Sequence, residues 1–260
     1  MDELIETVDI VRISGDETKN QQDVIIKETP LTLFVNNHEL VTLLCLPQYQ
    51  ANLGVGFLFS EGFLSDKDDI ESVNVNRNRG IVWVQLKNQL RINENFQKSR
   101  AVTSGCARGL TFYQLFEKWE GEFISTGMTI SHNYIVDAVA DLNQRSLLFR
   151  QTGGTHSALL YQQNEFLLER EDIGRHNAID KIIGECILKR ISGEDKIMMS
   201  SGRISSEILL KAARFKIPIL VSRGAPTSAS LKLAEEIGIT LVGFARGKKM
   251  NVYCNSWRIQ

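Results

Sequence analysis

Apolar and polar residues alternate through much of the first hundred residues, in the period of two that is typical of half-buried β-strands. Residues 24–46 form two extended runs around the turn-prone stretch Asn36-Asn37-His38-Glu39. A helix with internal glycines is predicted over 49–65. Further alternating segments are 70–77, 80–87 and 90–96. The pattern predicts an antiparallel, β-rich N-terminal unit that carries one helix.

The middle of the chain changes to helical spacing. Residues 110–121 and 131–146 are predicted helices, the second with Ser131 as its N-cap. The apolar side of this second helix consists of Ile135, Val136, Val139 and Leu142. Residues 155–172 then contain two β-rich runs around a polar turn, which predicts a hairpin.

Helices and strands alternate in the last third of the chain. A helix is predicted over 177–190, and short apolar runs of strand length lie at 196–201, 217–222 and 239–244. The segments 205–216 and 228–238 between these strands carry helix-capping signals at both ends. This order predicts a parallel sheet with right-handed crossovers.

These elements predict an α/β protein with an α+β N-terminal part and a mixed, largely parallel C-terminal sheet. The predicted domains are a β-rich domain over 1–102 and a C-terminal α/β domain over 129–260. Residues 103–128 are predicted to form a cysteine loop and a connecting helix between them.

Three strand-end loops of the predicted sheet each contain a glycine and an arginine. Ligands collect beyond the carboxyl ends of parallel strands, and two of these loops also lead into helix N-termini, which attract anions. Three charge-assisted hydrogen bonds could contribute about 5–9 kcal/mol before ordering costs, close to what micromolar binding requires. The arginines are Arg203, Arg223 and Arg246, with Lys248 and Lys249 after the last. We therefore expect a polyanion at this edge.

Composition narrows the classes of partner. The chain has 260 residues and a net charge of −1, so no overall field favours nucleic acid or an anionic membrane. It contains no apolar run long enough to cross a bilayer and no secretory leader pattern, which favours a cytoplasmic protein. The cysteines Cys45, Cys186 and Cys254 stand in apolar surroundings and are predicted to be buried.

The fourth cysteine stands in a different setting. Cys106 lies in "TSGCARG", where small residues and two glycines favour a loop that presents the thiol. Two histidines in other segments, His156 and His176, are candidates to lower the pKa of this thiol, but the sequence leaves open whether they reach it. Asp172 is expected to cap the helix that follows it.

In its motifs the chain resembles the FdhD family of formate dehydrogenase accessory proteins. The resemblance covers nearly the whole chain and rests on an ordered set of motifs: "ETPLTLFVN", "GFLFSEGFL", "TSGCARG", "TGGTHSA", "EDIGRHNAIDKIIG", "SGRISSEILLKAA", "SRGAPTSASLKLAEEIGITLVGFARG" and "NVY". It implies a sulfur carrier that accepts sulfur from a cysteine desulfurase as a persulfide on Cys106. The sulfur would pass to the molybdenum cofactor in its bis(guanine dinucleotide) form before that cofactor enters the catalytic subunit of formate dehydrogenase.

The resemblance also implies a C-terminal fold like that of cytidine deaminase. A homodimer is one assembly that would fit. The implied cofactor-binding segment is Phe244, Ala245, Arg246, Gly247, Lys248 and Lys249, to which we add Arg203, Arg223 and His176.

One position departs from the family pattern. Many members have a C-x-x-C pair, and this chain has Cys106 followed by Gly109 at the second position. A relay between two thiols is therefore unavailable, whereas persulfide transfer on one sulfur remains sufficient. Zinc deaminase chemistry is not expected, because the H-x-E and C-x-x-C segments are missing. The alternatives left open are a cofactor-binding chaperone without sulfur transfer, and a cysteine hydrolase that acts on a nucleotide with His156 or His176.

Overall fold

The computed structural model describes residues 3–87, 123–163 and 165–260. A two-stranded antiparallel hairpin opens the chain, with β1 over Ile5–Ser14 and β2 over Glu17–Ile26. Its base packs in a small apolar cluster with Leu46 and Leu148, whereas Val11 and Ile13 near its tip are exposed.

A four-stranded sheet and one helix follow the hairpin. The strands are β3 (Thr29–Val35), β4 (His38–Cys45), β5 (Ile70–Asn76) and β6 (Ile81–Leu86), and helix α1 spans Gln50–Ser60. Their order is β4-β3-β6-β5, and β3 pairs with β6 in parallel. The prediction of an antiparallel unit is therefore wrong at this pair. The crossover through α1 and β5 sets the direction of β6, and alternation along a strand carries no information about direction.

The rest of the described chain forms a six-stranded mixed sheet with helices on both faces. Its order is β12-β11-β10-β9-β7-β8. The middle strands β9, β10 and β11 are parallel neighbours, and the flanking pairings are antiparallel. The strands are β7 (His156–Gln162), β8 (Glu165–Asp172), β9 (Lys196–Ser200), β10 (Ile219–Ser222), β11 (Thr240–Arg246) and β12 (Lys249–Cys254). The helices are α2 (His132–Arg145), α3 (Leu147–Thr152), α4 (Arg175–Lys189), α5 (Ser206–Arg214) and α6 (Ser228–Ile237). This confirms the predicted α/β class, the hairpin and the alternating C-terminal elements.

Hydroxyl groups cap the N-termini of α2, α5 and α6. The Asn133 amide donates to Ser131 Oγ over 3.2 Å, as predicted for α2. At α6, Thr227 and Ser230 form a reciprocal capping box. The short helix α3 was not foreseen; the Glu171 carboxylate accepts the amides of Leu148 and Phe149 at its start. That contact is long-range, so no local pattern could indicate it.

The six-stranded sheet is the middle of three layers. Apolar side chains of α2, among them Ile135 and Val139, pack on one face together with Val221 and Val242. On the other face, Leu220 and Leu241 share a core with α4, α5 and α6. This second core continues without interruption into α1 and the four-stranded sheet.

Helices α1 and α4 join the two sheets through a contact that only glycines allow. A Cβ atom on Gly56 would lie 1.8 Å from the Asp180 carbonyl oxygen, and one on Gly184 would lie 1.9 Å from that of Asn52. Both positions must therefore remain glycine for the helices to touch at this distance. The predicted boundary near residue 102 and the predicted cysteine loop lie outside the described residues, so the division into domains stays a prediction.

Candidate functional site

The sheet order brings several polar side chains to one edge. The parallel strands β9, β10 and β11 end at Ser200, Ser222 and Arg246, and their loops follow at this edge. Because β7 runs antiparallel to β9, its first residue, His156, lies at the same edge. We call this row of loops and strand ends the carboxyl edge.

Backbone hydrogen bonds hold neighbouring loops of the carboxyl edge together. The Arg223 amide donates to the Ser200 carbonyl over 3.2 Å, and the Phe244 amide donates to the Gly224 carbonyl over 3.0 Å. Arg246 Nε also donates to the carbonyl of Arg223 over 3.1 Å. Each loop is thus fixed to the next one along the sheet.

Glycines allow two of these loops to approach closely. A Cβ atom on Gly224 would lie 2.9 Å from the carbonyl oxygen of Gly202, a separation that real Cβ atoms essentially never show. Gly224 therefore serves contact between the loops that follow β9 and β10.

The guanidinium groups of the carboxyl edge have no carboxylate partners among the described residues. Arg223 Nη1 donates to the neutral amide oxygen Asn143 Oδ1 over 2.6 Å, and the hydrogen bond of Arg246 within the described chain is to a carbonyl oxygen. Arg203 is exposed and forms no ion pair within the described chain. Unneutralised positive charge at fixed positions is the electrostatic requirement for binding a polyanion.

The segment from Phe244 to Lys249 forms the outer end of this edge. Phe244 has a φ of 51° and is 40% exposed, which turns its ring outward at a bulge between β11 and β12. Ala245 is buried under α2, so its side chain faces the core and not the edge. Gly247 has a φ of 54° in the turn that exposes Lys248 and Lys249.

His176 lies at the start of α4, where its ring is mostly buried. Its Nε2 atom is 2.9 Å from the Glu207 Oε2 atom of α5. Burial lowers the pKa of His176, and the charges of Lys211 and Arg175 lower it further, although Glu207 opposes them. A mostly neutral ring that faces a carboxylate is a weak candidate for an anion contact.

His156 and Ser201 meet beside the β9 loop. His156 Nδ1 lies 3.2 Å from Ser201 Oγ, and this hydroxyl also accepts the Ser157 amide over 3.0 Å. Burial lowers the pKa of His156, and Arg175 adds to this effect. Neither histidine therefore supplies the positive charge that would lower the pKa of a neighbouring thiol at neutral pH.

Arg175 is a candidate that the sequence-based set of site residues left out. Its aliphatic stem packs so closely on Gly202 that a Cβ atom there would lie 2.9 Å from Arg175 Cδ. The Nε atom is buried without a hydrogen-bond partner, and the side chain forms no ion pair among the described residues. The only signal in the sequence was its position beside His176, because its approach to the β9 loop depends on the packing of α4.

Asp172 has a structural role. Its Oδ1 atom accepts the Gly174 amide over 3.0 Å just before α4, and its Oδ2 atom lies 2.6 Å from Lys181 Nζ. Both charged side chains are fully buried, and the pair ties α4 to β8. The expectation that Asp172 caps α4 is wrong: the N-cap of α4 is Gly174, which has no side-chain cap hydrogen bond, and Asp172 accepts the amide of that residue.

Three cysteines are buried free thiols, as predicted. Burial raises the pKa of Cys45 and Cys186 to about 12, and it also raises the pKa of Cys254. None of them is available as a thiolate at neutral pH. Cys106 and Gly109 lie outside the described residues.

The described ranges contain no cluster of three or more histidine, cysteine, aspartate or glutamate side chains arranged to hold a metal ion. Among their helices, none combines the length and the apolar character that a membrane span needs.

Known proteins with similar sequences extend over almost the whole chain. A protein from Wolinella succinogenes named sulfur carrier protein FdhD is 40% identical, and the match covers 99% of this chain and 90% of the relative. A protein of the same name from Bacillus subtilis strain 168 is 37% identical, and the match covers 97% of this chain and 96% of the relative. The crystal structure of a Desulfotalea psychrophila protein described as a formate dehydrogenase accessory protein superimposes with a TM-score of 0.80. It is 25% identical to this chain, and the match covers 99% of this chain and all of the other. The model of the FdhD/NarQ family matches residues 26–260, and the chain belongs to that family.

Proposed function

We propose that this chain is a sulfur carrier that acts on the molybdenum cofactor of a formate dehydrogenase. Cys106 carries the sulfur, and the carboxyl edge binds the guanine dinucleotide arms of the cofactor, which is the substrate. The observation that supports this most is the row of guanidinium groups without carboxylate partners in the described part of a chain whose relatives are named sulfur carriers.

The first chemical step needs one sulfur atom on the carrier. The Cys106 thiolate attacks the outer sulfur of a persulfide on a cysteine desulfurase, and the sulfur–sulfur bond of the donor breaks. The donor cysteine leaves as a thiolate, so atoms and charge balance without any oxidant. The other three cysteines are buried and protonated, which leaves Cys106 as the carrier position.

The carboxyl edge fits the charge of the proposed substrate. Each guanine dinucleotide arm contains a diphosphate, and arginine binds phosphate oxygens through paired donors. Arg223 and Arg246 are held by neutral oxygens and keep their charge available to a ligand. Phe244, exposed beside Arg246, offers an aromatic face on which a guanine base could stack.

Loading of sulfur on Cys106 can be measured by intact-protein mass spectrometry. After incubation with a cysteine desulfurase and cysteine, we expect the wild-type chain to gain the mass of one or more sulfur atoms, which a reductant removes. Cys106→Ser should gain none, and Cys254→Ala, which replaces a buried thiol, should load like wild type.

Maturation of formate dehydrogenase in cells distinguishes the carrier from a chaperone. We expect Cys106→Ser to abolish formate dehydrogenase activity in a strain that lacks its own carrier. If Cys106→Ser supports full activity while Arg223→Ala combined with Arg246→Ala does not, the chain binds the cofactor without moving sulfur. That outcome would overturn the sulfur-carrier proposal.

A further inference from the structure

A cavity lies at the opposite end of the six-stranded sheet from the carboxyl edge. It has a volume of about 1010 Å³ and lies between α2 and the ends of β7 and β8. Tyr161, near the end of β7, and Asp195, just before β9, belong to its wall. His156 and Ser201 lie at the opposite ends of β7 and β9. The length of the five-residue strand β9 separates the two places by about 16 Å.

The described lining of this cavity is acidic and aromatic. Its carboxylates are those of Asp137, Asp141 and Asp195, of which Asp195 pairs with Lys196; no lysine, arginine or histidine is among the described lining residues. Tyr134, Tyr161 and Phe166 pack edge to face in the wall, with ring centroids 5.7 and 5.8 Å apart. Carboxylates beside aromatic faces attract organic cations.

Two polar groups of the lining have no partner in the described part of the chain. The Tyr134 hydroxyl oxygen is buried and makes no hydrogen bond there. Asp137, one helical turn further along α2, is exposed and forms no ion pair there. A buried hydroxyl without a partner costs free energy that a ligand could recover.

The wall already binds one guanidinium group of the chain itself. Arg145 Cζ lies 3.6 Å from the centre of the Phe166 ring, and Arg145 Nε lies 3.3 Å from Asp141 Oδ2. The adjoining surface offers the same combination to a ligand, with Tyr134 as the aromatic face and Asp137 as the carboxylate. Burial raises the pKa of Tyr134, and the charges of Asp141 and Asp137 raise it further, which agrees with a negative potential in the cavity.

We propose that this cavity binds an organic cation, a guanidinium or alkylammonium group on an apolar stem. Asp137 pairs with the charge, the ring of Tyr134 packs on the cation, and Met128 and Ile130 contact the stem. The proposal is independent of sulfur transfer, because it uses no residue of the carboxyl edge. The cation comes either from a free amine or from a basic side chain of a partner protein.

Calorimetric titration of the full chain tests the proposal with defined probes. The probes are agmatine, the blocked tripeptide acetyl-Gly-Arg-Gly-amide, and the same tripeptide with neutral citrulline in place of arginine. We expect saturable binding of the arginine tripeptide and at least about ten-fold weaker binding of the citrulline tripeptide, since a charge-assisted contact is lost. Comparable binding of agmatine would identify a free amine, and tighter binding of the tripeptide would identify a side chain of a partner.

Two variants and one control locate the binding site. Asp137→Asn should weaken the arginine tripeptide by about ten-fold. Tyr134→Leu should weaken it by roughly three-fold, because the aromatic face for the cation is lost, and the melting temperature checks that the variant folds. Asp16→Asn, in the exposed turn between β1 and β2, should bind like wild type. Equal affinity for both tripeptides, no saturable binding of either cationic probe, or wild-type affinity of Asp137→Asn would overturn the proposal.

Discussion

The arginines of the carboxyl edge differ in the hydrogen bonds that hold their side chains in the absence of a ligand. Arg223 and Arg246 already bond to neutral oxygens of the protein, so binding a phosphate would cost them little conformational entropy. Arg203 is exposed and has no such support in the described chain. We therefore expect Arg223 and Arg246 to contribute more to affinity than Arg203.

Replacement of Arg223 or Arg246 by alanine should weaken the binding of guanosine diphosphate by about ten-fold each, since a charged hydrogen bond is lost. Titration calorimetry at fixed salt measures the change. Arg190→Ala is the matched control, because Arg190 pairs with Asp68 at the far end of α4. Unchanged affinity in both edge variants would remove these arginines from the proposed site.

The pH dependence of stability should report the buried state of His156. The unfolded ring binds a proton near pH 6.5, whereas burial and Arg175 lower the pKa in the folded chain. The unfolded state therefore binds more protons below pH 6.5, and this part of the stability is present above that pH and lost as the pH falls. The loss cannot exceed about 1.4 kcal/mol per pH unit for one group.

Urea denaturation of wild type and His156→Gln between about pH 7.5 and about pH 5.5 isolates this contribution. Glutamine can keep a hydrogen bond to Ser201 but does not titrate. We expect the variant to lose less stability than wild type over this interval. Parallel stability curves would show that the folded and unfolded rings have the same pKa.

The shared location of the strand-end arginines could be predicted, because it follows from the topology of the sheet. Once β9, β10 and β11 were recognised as parallel strands, Arg203, Arg223 and Arg246 had to share an edge. Arg175 could not be assigned in this way, because it reaches the edge from a packed helix.

Helices and strands are positioned by long-range contacts that the local pattern of apolar residues does not show. The internal glycines of α1 were visible in the sequence, but their reason, the close contact with α4, appears only when both helices are in place. The same holds for β6, whose direction relative to β3 depends on the crossover between them. The periodicity of apolar residues predicts that these elements form, but not which elements they pack against or pair with.

Gly56→Ala should destabilise the protein by more than about 3 kcal/mol, because the new methyl group would overlap the Asp180 carbonyl in the contact between α1 and α4. Gly127→Ala is the control, since a Cβ atom at Gly127 meets no atom of the described residues within 4 Å. The midpoint of urea denaturation gives both values. A Gly56→Ala protein as stable as the control would mean that the helices can separate at little cost.

The four-stranded and six-stranded sheets share one apolar core within the described chain. Leu33 and Val82 of the four-stranded sheet belong to the same buried cluster as Ile183 of α4 and Leu220 of the six-stranded sheet. Separating the sheets would expose this cluster to water at about 25 cal/mol per Å². We therefore expect the described parts on either side of residues 88–122 to unfold together, although they were predicted as separate domains from their different patterns.

Fluorescence from single tryptophans tests this cooperativity. The chain has three tryptophans, Trp83, Trp119 and Trp257. With the other two replaced by phenylalanine, Trp83 reports on the four-stranded sheet and Trp257 on the C-terminal end of the chain. Coincident urea transitions in both reporter proteins, also matching circular dichroism, are the expected result because one core cannot lose half of its packing alone. If Trp83 responds at a lower urea concentration, the N-terminal part is an independent folding unit, and the contact between α1 and α4 is a weak interface between domains.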